Sequence, residues 1–184
     1  MIALGARAVV TVGTAGALHH RLHPGDLVIS DRALRDEGTS HHYLPPGRYT
    51  EPDPTLSQHL TSALTSTERP VYTGGTWTTD ALYRETPAEA QRYAAEGLLT
   101  VEMEAAAVFA VARHRGIPAA AAFTVADSLV DRQPRADSRE VSTGLEQLLD
   151  AAVAALAWHG GPARAHYKLE HLPYEAPATS RGIA

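Results

Sequence analysis

Residues 98–116, LLTVEMEAAAVFAVARHRG, place two carboxylates, Glu102 and Glu104, directly before a run of small apolar residues. Two explanations are open for such a pair. Acids at a helix start answer the helix macrodipole, worth ~0.3–1 kcal/mol. Alternatively, they face a ligand. If the chain stays extended through Glu104, period two puts both carboxylates on one face; if the helix already begins at Glu102, they point well apart. A helix as apolar as AAAVFAVA is buried on most sides, so its entrance lies near the floor of a crevice at a strand's carboxyl end, where α/β sheets bind ligands. A carboxylate there is suited to grip paired sugar hydroxyls. Two other polar residues stand at the ends of apolar segments. Asp127, in FTVADSLVD, reads alone as a strand end that caps the next segment. Thr14, in VGTAG, reads alone as a turn hydroxyl bonding local backbone.

The elements that must carry these residues are legible in the pattern. ARAVVTVG (6–13) and DLVISDRAL (26–34) are strand candidates, with GTAG read as a tight turn after the first. Residues 44–54, LPPGRYTEPDP, read as a proline-rich surface loop. PTLSQHLTSALTS has Leu56, Leu60 and Leu64 four apart on one helical face. RPVYTGGTW is a strand candidate, and PAEAQRYAAEG is a helix with proline at its start and glycine just past its end. IPAAAAFTVAD reads as a buried strand and STGLEQLLDAAVAALAWHG as a terminal helix. Strands alternating with helices indicate one α/β domain over residues 1–159. Residues 160–184, with several prolines and no periodicity, read as a poorly ordered tail.

Composition excludes several classes. The formal net charge of −5 leaves no basic stripe for nucleic acid. With no cysteine, disulfides and thiolate metal sites are ruled out. His19, His20 and His23, and the pair His41 and His42, lack a metal-ligand framework, so no metal is expected. No apolar run approaches the ~20 residues of a membrane helix, and Arg7 interrupts the apolar start, so no membrane span is expected and a cytoplasmic setting is. The glycines of GTAGAL do not make a dinucleotide fingerprint.

VGTAGAL, VEMEAAAVFAVA and TVADSL, in that order, resemble the purine and uridine phosphorylases of the nucleoside phosphorylase-I superfamily, with RDEGTSHHY and TTDALYRE as supporting segments. The resemblance covers roughly residues 1–157. It implies a mixed β-sheet sandwiched by helices, assembly into dimers, trimers or hexamers, and phosphate cleavage of an N-glycosidic bond to give ribose 1-phosphate and free base. No cofactor is implied beyond inorganic phosphate as co-substrate. By the same resemblance, Thr14 would bind phosphate, Ala15 and Gly16 would line the base pocket, Met103 and Glu104 would hold the ribose, Glu102 would lie beside the base, and Asp127 would protonate a departing purine.

The sequence also departs from that pattern. Thr11 stands where the family has a phosphate-binding arginine, and the family's glycine-rich segment with a second such arginine has no counterpart after Met1. The expectation is a chain lacking the family's N-terminal strands, read as a fragment or misplaced start, as a chain whose missing strands a partner supplies, or as a degenerate copy; a homo-oligomer is expected as well. RDEGTSHHY (Arg35, Gly38, Ser40, His42) leans to the uridine branch, whereas Asp127 leans to purine; Gln91 and Arg92 come too late after Tyr83 to read uracil as the family does. Two alternatives accompany phosphorolysis: a nucleoside hydrolase using water, and a non-catalytic nucleoside-binding subunit.

Overall fold

The structure is a computed structural model that describes residues 1–65, 67, 69–130 and 138–160. The tail expected beyond Gly160 lies outside the described residues. Six strands form one sheet: β1 (Val9–Ala17), β2 (Leu27–Asp36), β3 (Tyr49–Thr50), β4 (Val71–Thr79), β5 (Leu98–Glu102) and β6 (Ala119–Ser128). Four α-helices accompany them: α1 (Pro54–Leu64), α2 (Pro87–Ala95), α3 (Ala105–His114) and α4 (Arg139–His159).

Local chemistry explains most boundaries. Asp53 starts α1 by accepting from the Leu56 amide at 2.8 Å, and Pro54 occupies the first turn, where a missing N–H is harmless. Thr86 and Glu89 form a reciprocal capping box at α2, again followed by proline. Ser138 caps α4 through the Val141 amide. Two expectations need correction. GTAG is not a turn: β1 runs straight through it to Ala17, with a register shift between Ala15 and Gly16 against β6. The proline-rich stretch 44–54 contains β3, which pairs with Ala33 and Leu34 of β2.

The strand order is β3-β2-β4-β5-β1-β6, with an additional pairing of β2 to β6. That pairing, Leu27↔Thr124 to Ile29↔Ala122, closes β2, β4, β5, β1 and β6 into a ring. Within it, β1 and β6 are parallel, as are β2 with β4 and β4 with β5, while β1 meets β5 antiparallel. The sheet is mixed, as expected.

Alternation along β6 shows how its two faces are used. Ala120 and Ala122 pack with Leu27, Leu56, Leu60 and Leu148 beneath α1 and α4. Ala119, Ala121 and Phe123 pack with Phe109 of α3. A third cluster sets Trp77 and Val101 against Ala90 and Tyr93 of α2. Burying a side chain the size of Phe109 is worth ~1.5–3 kcal/mol, so these faces fix the positions of the strand ends. Among the described residues, no helix is long and apolar enough to cross a membrane.

Candidate active site

The question raised by Glu102 and Glu104 has a geometric answer. The strand ends at Glu102, and the backbone bends at Met103 and Glu104 before α3 begins, so the chain neither stays extended through Glu104 nor is helical from Glu102. The two carboxylates therefore part. Glu102 turns inward and is buried. Its Oε2 accepts from the amides of Glu104 (2.8 Å) and Ala105 (2.7 Å). Its Oε1 accepts from Thr78 Oγ1 at 2.5 Å, and the same Thr78 oxygen accepts from the Ala106 amide at 3.0 Å. One acid and one hydroxyl thus satisfy three N–H groups at the start of α3, which would otherwise be orphaned. Burial pushes the Glu102 carboxyl up to about 7, against the pull of hydrogen bonds from Thr78 and from the Ala105 and Glu104 amides. Glu104 and Met103 face outward, Met103 being 44% exposed.

Thr14, Ala15, Gly16 and Asp127 meet at the same corner. The β1–β5 ladder consists of Gly16↔Val101 and Ala17↔Thr100, so the residues just beyond it, Ala15 and Thr14 on one strand and Glu102 and Met103 on the other, diverge from one point. Across β1, Gly16 stands opposite Asp127 of β6. A Cβ at Gly16 would lie 2.7 Å from Asp127 Oδ1, 2.7 Å from Leu129 Cδ1 and 3.1 Å from Val101 Cγ1. The bare backbone at Gly16 is what admits the Asp127 carboxylate. Ala15 is buried, whereas Thr14 and Asp127 are half-buried.

The segment between β4 and α2 presents Leu82 and Tyr83 to solvent, the latter 98% exposed. Half-buried Glu85 follows; its carboxyl is raised first by burial and then by the nearby charge of Asp127. Sequence reasoning missed Glu85, Thr76 and Thr78. The signal for the threonines was period two: Thr76 and Thr78 share a face of β4 and stand opposite Thr100 and Glu102 of β5. Thr100 Oγ1 donates to Thr76 Oγ1 at 3.1 Å, completing a buried polar ladder that leads to Glu102.

Arg35 is placed elsewhere. Its guanidinium donates to Ser40 Oγ at 2.9 Å and to the Pro45 carbonyl at 2.8 Å, so it organises the loop after β2. Arg92 donates to Tyr93 at 2.7 Å on α2. A groove of about 460 Å³ lined by Glu51, Asp53, Arg113 and Pro118 lies at the start of β6, the opposite end of that strand from Asp127. The convergent polar groups described above are not there, and the corner at Gly16 is the better candidate for chemistry. Among the described residues, no three His, Asp or Glu side chains gather as metal ligands would.

Comparison with known proteins places this geometry in context. The chain is 35% identical over 136 residues to a guanosine phosphorylase of Halorubrum lacusprofundi, covering 73% of this chain and 56% of that one. It is 28% identical over 158 residues to a DeoD-type purine nucleoside phosphorylase of Clostridium perfringens, covering 81% of this chain and 65% of that one. In fold, it is similar to the purine nucleoside phosphorylase of Toxoplasma gondii solved with immucillin-H, with a TM-score of 0.78 and 24% identity over 86% of this chain and 66% of that one. It is likewise similar to a Plasmodium knowlesi homolog of the P. falciparum enzyme, with a TM-score of 0.72 and 21% identity over 84% and 65% of the two chains. The chain spans less than two thirds of the length of each of these relatives. The sequence profile of the phosphorylase superfamily matches residues 1–157, and the chain belongs to that family.

Proposed function

We propose that this chain carries the nucleoside-binding and proton-donating part of a purine nucleoside phosphorylase. The observation that supports it best is the corner where bare Gly16 backbone, the Asp127 carboxylate and the turn at Met103 and Glu104 converge. A flat base can lie against the strand end where Ala15 and Gly16 bring little side chain, with Glu102 behind the adjoining wall. The sugar then faces Met103, and Glu104 accepts from its hydroxyls. Thr14, one strand-step from the base platform, offers its hydroxyl to phosphate, whose oxygen attacks the sugar carbon. As the glycosidic bond breaks, negative charge develops on the base. Asp127 relieves it by giving a proton to a purine ring nitrogen, an effect worth ~10²–10⁴-fold in rate.

The relatives are named for guanosine and for purine nucleosides, so guanosine is the first substrate to assay. Thr11 leaves the phosphate side without a cation from that position. Completion by a second copy or by a partner bringing further strands and cations is part of the same proposal.

The deciding experiment compares guanosine, inosine and uridine, with and without phosphate, on the wild type and Asp127→Asn. The expected result is phosphate-dependent purine cleavage that falls ~10²-fold in kcat in the variant, with KM within a few-fold, because Asn still hydrogen-bonds the ring but has no acidic proton. Cleavage that ignores phosphate would move the chain to the hydrolase reading, and equal losses for purine and pyrimidine would make Asp127 structural.

A further inference from the structure

The first turn of a helix leaves N–H groups without intrahelical partners, and something must hold them. At α3 they are held from inside the fold. The Glu102 carboxylate accepts from the Glu104 and Ala105 amides, and Thr78 Oγ1 accepts from the Ala106 amide at 3.0 Å. Thr78 is the pivot of this arrangement. It belongs to β4, stands opposite Glu102 of β5 and is fully buried. A hydroxyl has one proton to give and lone pairs to receive, and Thr78 uses both functions at once. Its proton goes to Glu102 Oε1 at 2.5 Å while a lone pair receives the Ala106 N–H. Thr76 is a poor substitute. Its Oγ1 is 3.4 Å from the same Glu102 oxygen and 3.3 Å from the Thr100 carbonyl, so one proton faces two long contacts.

Between these anchors lies the turn that carries Glu104. Its amide is tied to Glu102, and its Oε2 lies back over the turn, accepting from the Met103 amide at 3.3 Å. Ala106, held by Thr78, is only two positions further on, so a shift there is passed to Glu104 through the backbone. We propose that Thr78 is a positioning residue for sugar recognition: by holding Glu102 and the Ala106 amide at once, its hydroxyl sets where the Glu104 carboxylate meets the sugar hydroxyls. The inference rests on reading Glu104 as the sugar-binding acid. Fully buried, Thr78 acts through Glu104 rather than on the sugar itself. Hydrogen bonds weaken steeply with misplacement, so a displacement of under about 1 Å at Glu104 is enough to be felt.

The test separates the sugar's share of binding from the base's. Calorimetry with guanosine and with guanine gives that share as the ratio of the two affinities. Thr78→Val keeps the side chain's shape and removes both hydroxyl functions. The ratio should fall ~5–20-fold, with guanine affinity within ~2-fold, and Thr78→Ser should restore it to within ~3-fold of wild type. In a Glu104→Gln background, Thr78→Val should move the ratio by less than ~3-fold, because the group it positions is gone. Should Thr78→Val not fold, Thr78→Cys, a weaker donor and acceptor at the same place, should lower the ratio ~2–5-fold. An unchanged ratio in the Thr78 variants, equal losses for guanosine and guanine, or full additivity with Glu104→Gln would each overturn the positioning role. A ratio lost in Glu104→Gln but kept in Thr78→Val would do so while leaving the sugar-binding acid in place. The full pattern in a protein whose cleavage ignores phosphate would support Thr78 and sink phosphorolysis, so the two readings fail separately.

Discussion

Two acids two residues apart have opposite duties here, and their identities alone did not say which was which. Glu102 is buried and shared among two amides and a threonine, whereas Glu104 stands at the outward turn. Glu104→Gln should therefore weaken nucleoside binding while leaving free-base binding nearly unchanged, since the lost charge strengthens bonds to sugar hydroxyls by ~1.5–3 kcal/mol when desolvated. Calorimetry with guanosine and guanine would check it, and equal losses for both would show that Glu104 does not read sugar. The sequence displayed both carboxylates but not the turn that separates them. That turn depends on Thr78, which lies 24 positions upstream and is brought alongside by β4–β5 pairing. Glu85 was illegible for the same reason, because the Asp127 charge that helps raise its carboxyl comes from β6.

At the scale of elements, the strand-to-helix joint is itself a pH-sensitive fastening. Glu102 ordinarily titrates near 4.5 and is raised to about 7 in the fold. A carboxyl raised in this way holds its proton more tightly folded than unfolded. Its contribution is thus complete below about 4.5 and is lost as pH rises through about 7, at most roughly 3 kcal/mol. Glu102→Gln, which keeps a carbonyl acceptor but cannot ionise, should flatten the fall in melting temperature between pH 5 and pH 8. An unchanged slope would show that Glu102 does not set it. Most elements were legible because their signals are local: leucines four apart in α1, or proline behind a cap in α2. GTAG was not, because glycine and threonine spell a turn when read alone. In the structure, the same glycine is a strand residue kept bare so that Asp127 can approach.

At the scale of the whole molecule, one side of the sheet carries no strand among the described residues. β1 pairs with β6 along its full length but with β5 only at Gly16 and Ala17, so residues 9–15 have no strand on that side among the described residues. The edge without a strand beside it reads VVTVGTA, lacking the lysine or proline that usually guards an edge. On α4, Leu149 and Val153, four apart, are 57% and 63% exposed. We expect this chain to associate through these surfaces, with an apparent mass in light scattering that rises with concentration. Leu149→Glu combined with Val153→Glu should lower it. A compact, monodisperse monomer of the wild type at all concentrations would show that the edge is protected by other means.

The closed ring of strands has a consequence for how the protein is made. Its seam joins Leu27 to Thr124, so nearly a hundred residues must emerge before β2, already paired with β3 and β4, meets β6. Only afterwards can α4 lie across the seam, and it does so at Gly144, where a Cβ would collide with Thr124 Oγ1. On the ribosome, most of β1 and the Leu27–Ile29 edge of β2 therefore wait until β6 is synthesised, a slow closure set by its long sequence separation. The last helix acts as the latch, and any side chain at Gly144 would hold the ring ajar.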